Sequence, residues 1–130
     1  MKIELFTVCD FAADYAGKLT VVGSFDCLNA RQVPFAHHHF CVAVKMRFEK
    51  IEEGRKQLRF SLSDADGHAV IAPMEMLIDV KMPEDILSLP MNIIASVGGM
   101  KFARFGEYSV DLAINGRLEA STPLFVRHIS

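Results

Sequence analysis

Three consecutive histidines and a nearby cysteine, His37-His38-His39-Phe40-Cys41, are the residues best equipped for chemistry in this chain. In an extended strand alternate side chains share a face. His37, His39 and Cys41 are therefore expected to project together as three ligands for a metal. Imidazole nitrogen and thiolate sulfur both suit a tetrahedral zinc ion, with an aspartate or water as fourth ligand. The opposing reading is structural. The triplet follows Val33-Pro34-Phe35-Ala36 at a loop-to-strand junction, where exposed histidine is common, and a lone cysteine often serves as a small buried hydrophobe.

Other combinations carry less. Asp10, Asp14 and Asp26 are candidates for an acidic cluster at one end of the molecule, although aspartate is also the ordinary residue for closing turns through side-chain bonds to backbone N–H groups. Asp64-Ala65-Asp66-Gly67 resembles a fragment of a calcium loop without its third acidic ligand or its bidentate glutamate, and a turn accounts for it. No Gly-x-Ser-x-Gly element or catalytic-cysteine context is present. Gly98-Gly99 lacks the Lys-Ser/Thr signature of a phosphate loop. No catalytic residue is predicted.

Positioning these groups falls to strands. Phe40, Val42, Val44, Met46 and Phe48 alternate with Cys41, Ala43, Lys45 and Arg47, the period-2 pattern of a strand with one buried face. Ile3–Val8 reads as a first strand and Leu19–Phe25 as a second. In the second, Gly17 suits the entering turn and Gly23 suggests a bulge or close backbone approach. Leu58, Phe60 and Leu62 alternate similarly, and a turn at Asp64–Gly67 pairs Leu62 with Val70 and Phe60 with Ala72. Met76, Ile78, Val80 and Met82 follow. Pro83 and Pro90 bracket a segment read as a core plug with room for one helical turn, then Met91–Val97 forms a strand broken at Gly98-Gly99. A hairpin over Gly106–Arg127 closes the chain. Its three-residue loop, Ile114-Asn115-Gly116, is expected to pair Leu112 with Leu118 and Val110 with Ala120, because a two-residue turn would set Glu119 against the core. Lys101, Arg104, Pro123 and Arg127 are placed at strand edges, where they discourage open-ended pairing.

The whole defines an all-β fold: one domain over residues 1–130, an antiparallel two-sheet β-sandwich with immunoglobulin-like connectivity, a small closed β-barrel being the alternative. The 130 residues suffice for a self-supporting core, with 51% hydrophobic residues and 10 Phe but no Trp to fill it. A net charge of −2 with interspersed signs argues against nucleic acid as a partner. No apolar run approaches the ~20 residues that cross a bilayer. The N-terminus is no signal peptide, since Glu4 interrupts its apolar run. Three widely spaced cysteines fit thiols in a reducing, cytoplasmic compartment.

Ala13–Asp26, Arg47-Phe48-Glu49 and Phe105-Gly106-Glu107-Tyr108 resemble a family of short bacterial proteins catalogued only as a domain of unknown function. The resemblance spans the chain and implies a bacterial, cytoplasmic, single-domain protein, with no activity or site residue to transfer. The expected function is thus a non-catalytic sandwich that binds a protein or associates with itself through loops or an exposed edge. The alternative is a zinc or small-ligand site around His37, His39 and Cys41. Carbohydrate binding is disfavoured by the absence of Trp and the presence of only 2 Tyr.

Overall fold

The computed structural model describes residues 1–130, and nine strands account for its regular structure: β1 Lys2–Tyr15, β2 Lys18–Ser24, β3 Cys27–Ala30, β4 Phe35–Glu49, β5 Gly54–Asp64, β6 Met74–Val80, β7 Ser88–Phe102, β8 Gly106–Ile114 and β9 Arg117–His128. One 3₁₀ turn, Lys50–Glu52, joins β4 to β5. The strands form two separate sheets, ordered β2-β1-β4-β7 and β3-β9-β8-β5-β6. Both sheets have free edges, so the closed barrel is not formed. All pairings are antiparallel except β3 with β9, which run parallel.

The alternation read from the sequence fills the space between the sheets. Phe40, Val42, Val44, Met46 and Phe48 of β4 face Leu58, Phe60 and Leu62 of β5 and Tyr108, Val110, Leu112 and Ile114 of β8 in one buried cluster. Such side chains drive folding because each removes most of its apolar area from water. The connectivity follows an immunoglobulin domain. Strands β1, β4 and β7 occupy the places of A, B and E, while β5, β6, β8 and β9 take those of C, C′, F and G. At the corner between β7 and β8 the buried Tyr108 hydroxyl donates to Arg104 O at 2.7 Å and accepts Arg104 N–H at 3.3 Å. This is the tyrosine corner of immunoglobulin-like sandwiches.

The closing hairpin differs in register from the expectation. Asn115 (φ 51°) and Gly116 (φ 80°) form a two-residue turn with Ile114 opposite Arg117. Both left-handed positions match the primed turn that follows strand twist. The parity problem is solved beyond the turn. Leu118 pairs with Ala113 but Ala120 pairs with Leu112, so Glu119 is an extra residue in a bulge. The apolar faces coincide as required, two residues out of the expected register. Leu118 is left exposed.

Three further expectations change in detail. Leu62 O accepts Val70 N–H across the Asp64–Gly67 turn as anticipated, but Phe60 pairs with Met74 and not with Ala72, because the chain leaves the ladder before β6. β7 runs unbroken through Pro90 and Gly98-Gly99, opposite β4 along its whole length. The Pro83–Pro90 bracket holds no helix; Ile86 and Leu89 pack against the core while Leu87 is exposed. Pro123 and Arg127 sit in β9, which has a partner on each side. Pro123 is tolerated because β3 covers only Phe125–His128, leaving the proline nitrogen beyond the parallel ladder.

Candidate functional site

The histidine segment is split between two faces. His37 turns inward, its ring 6.0 Å from Phe25, 6.2 Å from Phe35 and 6.1 Å from Phe40. Its Nε2 is buried without a hydrogen-bond partner. Cys41 belongs to the opposite face, in a small cluster with Cys9, Ala12 and Ala43, and its Sγ lies 4.0 Å from His39 Nε2 and 3.7 Å from Ser96 Oγ. The expected shared face fails because strand alternation is not kept between His37 and Phe40: both contact the same aromatic cluster although three residues apart. His38 and His39 are both exposed across this kink. His39 and Cys41 are brought together; His37 is not, and the three do not fit one metal ion.

Asp10, Asp14 and Asp26 do not converge on one point. Asp14 Oδ1 accepts Gly17 N–H at 2.8 Å, closing the β1–β2 turn. Asp10 lies against Gly23, where a Cβ would meet its carboxylate at 2.6 Å, which is the close approach expected of that glycine. The one group of metal-type ligands that does converge is Asp64, Asp66 and His68. The Arg104 guanidinium already spans it, 3.1 Å from Asp64 Oδ2 and 3.5 Å from Asp66 Oδ2. Asp64 Oδ1 also accepts the N–H groups of His68 and Asp66 at 2.9 and 3.0 Å. Those backbone bonds, His68 first, hold the Asp64 carboxyl below its ordinary range, with Arg104 and His68 adding smaller contributions against desolvation. The arrangement ties the turn after β5 to the tyrosine corner, a link across 40 residues that the sequence gives no sign of.

The feature that sequence reading missed is the β1–β2 hairpin. β1 continues as one strand through Asp10–Tyr15, past the Val8 at which the first strand was expected to end. It pairs with β4 only up to Cys9 and thereafter with β2 alone. Beyond that point the hairpin lies over the outer face of β4 and β7. Leu19 and Val21 cover Cys9, Ala12, Cys41, Ala43 and Ile94, and Asn92 Nδ2 donates to Gly17 O at 3.2 Å near the hairpin tip. Burial pushes the Cys9 thiol up, with Cys41 and Asp10 adding to the effect, so it stays protonated and unreactive.

The other side of the same hairpin faces outward. Phe11 is directly opposite Val22, and Tyr15 is two positions beyond Ala13 on that face. Phe11 is 55% exposed, Tyr15 73% and Val22 53%. Phe11, Ala13 and Tyr15 thus line the outer side of β1, with Val22 beside Phe11 and Thr20 and Lys18 beside the other two, next to the side of β2 that has no partner strand. The signal for it was present in the sequence, since Phe11, Ala13 and Tyr15 alternate with Asp10, Ala12 and Asp14. Small and acidic residues there mimic a loop.

Strand order and tyrosine corner together define an immunoglobulin-like β-sandwich domain. By sequence, the chain belongs to the Family of unknown function (DUF6941), whose model matches residues 4–127. No curated protein matches it. Its fold is similar to part of the Pseudomonas fluorescens alkylpurine DNA glycosylase AlkC bound to DNA containing an abasic site analog, with a TM-score of 0.54 at 12% identity. That alignment takes in 97% of this chain and 30% of the other, so the domain spans about a third of that protein's length. An immunoglobulin-like protein from Pseudomonas aeruginosa aligns over 98% of this chain and 93% of its own, with a TM-score of 0.41 and 13% identity. There is no helix long and apolar enough to cross a membrane.

Proposed function

We propose that this domain is a non-catalytic interaction module that engages protein through the outer face of the β1–β2 hairpin. The observation that carries the reading is the alignment of Phe11, Ala13 and Tyr15 along one face of β1 with Val22 opposite Phe11, where Phe11, Tyr15 and Val22 are each more than half exposed. Isolated exposed hydrophobes need no explanation, but a patch of aromatics does, and aromatic residues anchor protein interfaces. A cytoplasmic setting accords with the three free cysteines.

The test is site-directed photocrosslinking in cells, with a photoreactive residue at Tyr15 or, as control, at Ile51, which is 94% exposed on the 3₁₀ turn. The Tyr15 probe is expected to give a discrete protein adduct that Phe11→Ser abolishes and that the Ile51 probe does not give. No adduct, or the same adducts from both positions, overturns the reading.

A further inference from the structure

We infer that the occupant of this surface is a second copy of the chain, joined antiparallel along the free edge of β2 about a two-fold axis at Val22. This rests on the interaction reading above and names its partner. The four sheet edges are not equally protected. β3 has only four residues. β7 carries Pro90, the Gly98-Gly99 pair and Lys101 along its free side, and β6 carries Glu75 and Asp79. Charges, proline and short length are the usual means of blocking strand addition. β2, Lys18-Leu19-Thr20-Val21-Val22-Gly23-Ser24, has none of them after Lys18. Its unpaired N–H and C=O groups form a template for another strand.

The sequence of this edge is complementary to itself. Directly opposed residues in an antiparallel pair share a face. With Val22 opposite Val22 of the second copy, Thr20 comes alongside Ser24, and Lys18 comes to the end of the partner edge, where Asp26 turns toward β9 with its O accepting Phe125 N–H at 2.7 Å, so each copy brings a cation near an anion. Lys18 and Asp26 are both exposed, and neither has an ion-pair partner within the chain. Phe25 N–H bonds to Val8 O at 2.9 Å, which keeps the chain in register with β1 up to the residue before Asp26. Because Phe11 is the β1 neighbour of Val22, the axis generates one apolar row, Phe11, Val22, Val22 and Phe11, across four strands. A C2 contact of this kind uses the same patch twice, as closed symmetry requires. The edge offers only seven residues and Gly23 (φ 68°) interrupts the ladder, so the dimer is a weak one.

Sedimentation equilibrium of the full chain between low micromolar and millimolar concentration tests this. The wild type is expected to show a monomer–dimer equilibrium. Val22→Lys is expected to weaken it more than about ten-fold by placing two ammonium groups on the axis. Lys18→Glu is expected to weaken it about five-fold, and Lys18→Glu with Asp26→Lys to restore it, because two rim ion pairs are reversed and then rebuilt. A chain monomeric at all concentrations overturns the second copy. A charge swap that restores nothing overturns this register. If the chain is monomeric while the Tyr15 probe crosslinks a different protein, the interaction reading stands and the self-pairing falls; if no adduct forms either, both fall.

Discussion

Removing the Tyr108 hydroxyl should destabilise the domain without disturbing its packing. The hydroxyl donates to Arg104 O at 2.7 Å and accepts Arg104 N–H at 3.3 Å, while the ring lies edge-on to Phe102 at a centroid separation of 4.9 Å. Tyr108→Phe keeps the ring contact and deletes both bonds. One such bond is worth about 1 kcal/mol net, and a partly buried carbonyl left without its donor adds to the cost, so the expected loss is about 1–2 kcal/mol. For a domain of this size that lowers Tm by roughly 3–8 °C. Tyr108→Ala also removes the ring from the core and is expected to cost about 3–5 kcal/mol. Urea denaturation of the three proteins, read at constant m, separates the contributions. If Tyr108→Phe matches wild type within about 0.3 kcal/mol while Tyr108→Ala is strongly destabilised, the corner is held by its ring alone and the reasoning fails.

Two more outcomes follow from the site geometry. His37→Phe is expected to stabilise the domain by about 1 kcal/mol, since it fills an aromatic nest and removes a buried nitrogen that has no partner; a loss of stability on denaturation would show that the imidazole has one. Stability should also fall in acid through Asp64 and Glu53, both held below their ordinary values, chiefly by backbone N–H groups of His68 and Met82 respectively. A lowered folded pKa gives stability that is fully present above the ordinary carboxylate range and is lost as pH falls through the folded value. Asp64→Asn with Glu53→Gln should flatten the acid limb of the stability profile measured by urea titration, and an unchanged limb would refute the assignment.

Fold and site were not equally legible in the sequence. The strand β4 and the core faces of β5 and β8 were readable because alternation is a local property and their inner positions are large and apolar. The two-sheet architecture followed from them. Register was not readable to the residue, since the closing hairpin obtains its parity from a bulge at Glu119 and not from the length of its turn. Parity alone constrains faces, and a shift of two leaves them unchanged. The metal expectation assumed unbroken alternation from His37 to Cys41, and the kink that turns His37 inward arises from tertiary packing against Phe25 and Phe35. The β1–β2 hairpin was hidden for a related reason. Its inner face covers a second, smaller cluster outside the sandwich, so small residues such as Ala12 suffice where a core strand would show large ones.

Hydrogen exchange at β2 as a function of protein concentration tests the central claim most directly, because it reads the edge itself. The account predicts that amides in Lys18–Ser24 exchange progressively more slowly from low micromolar to millimolar concentration, while the amides of β6 do not change, and that Val22→Lys abolishes the effect. Exchange of β2 that is independent of concentration, or protection that appears equally on β6, would contradict it.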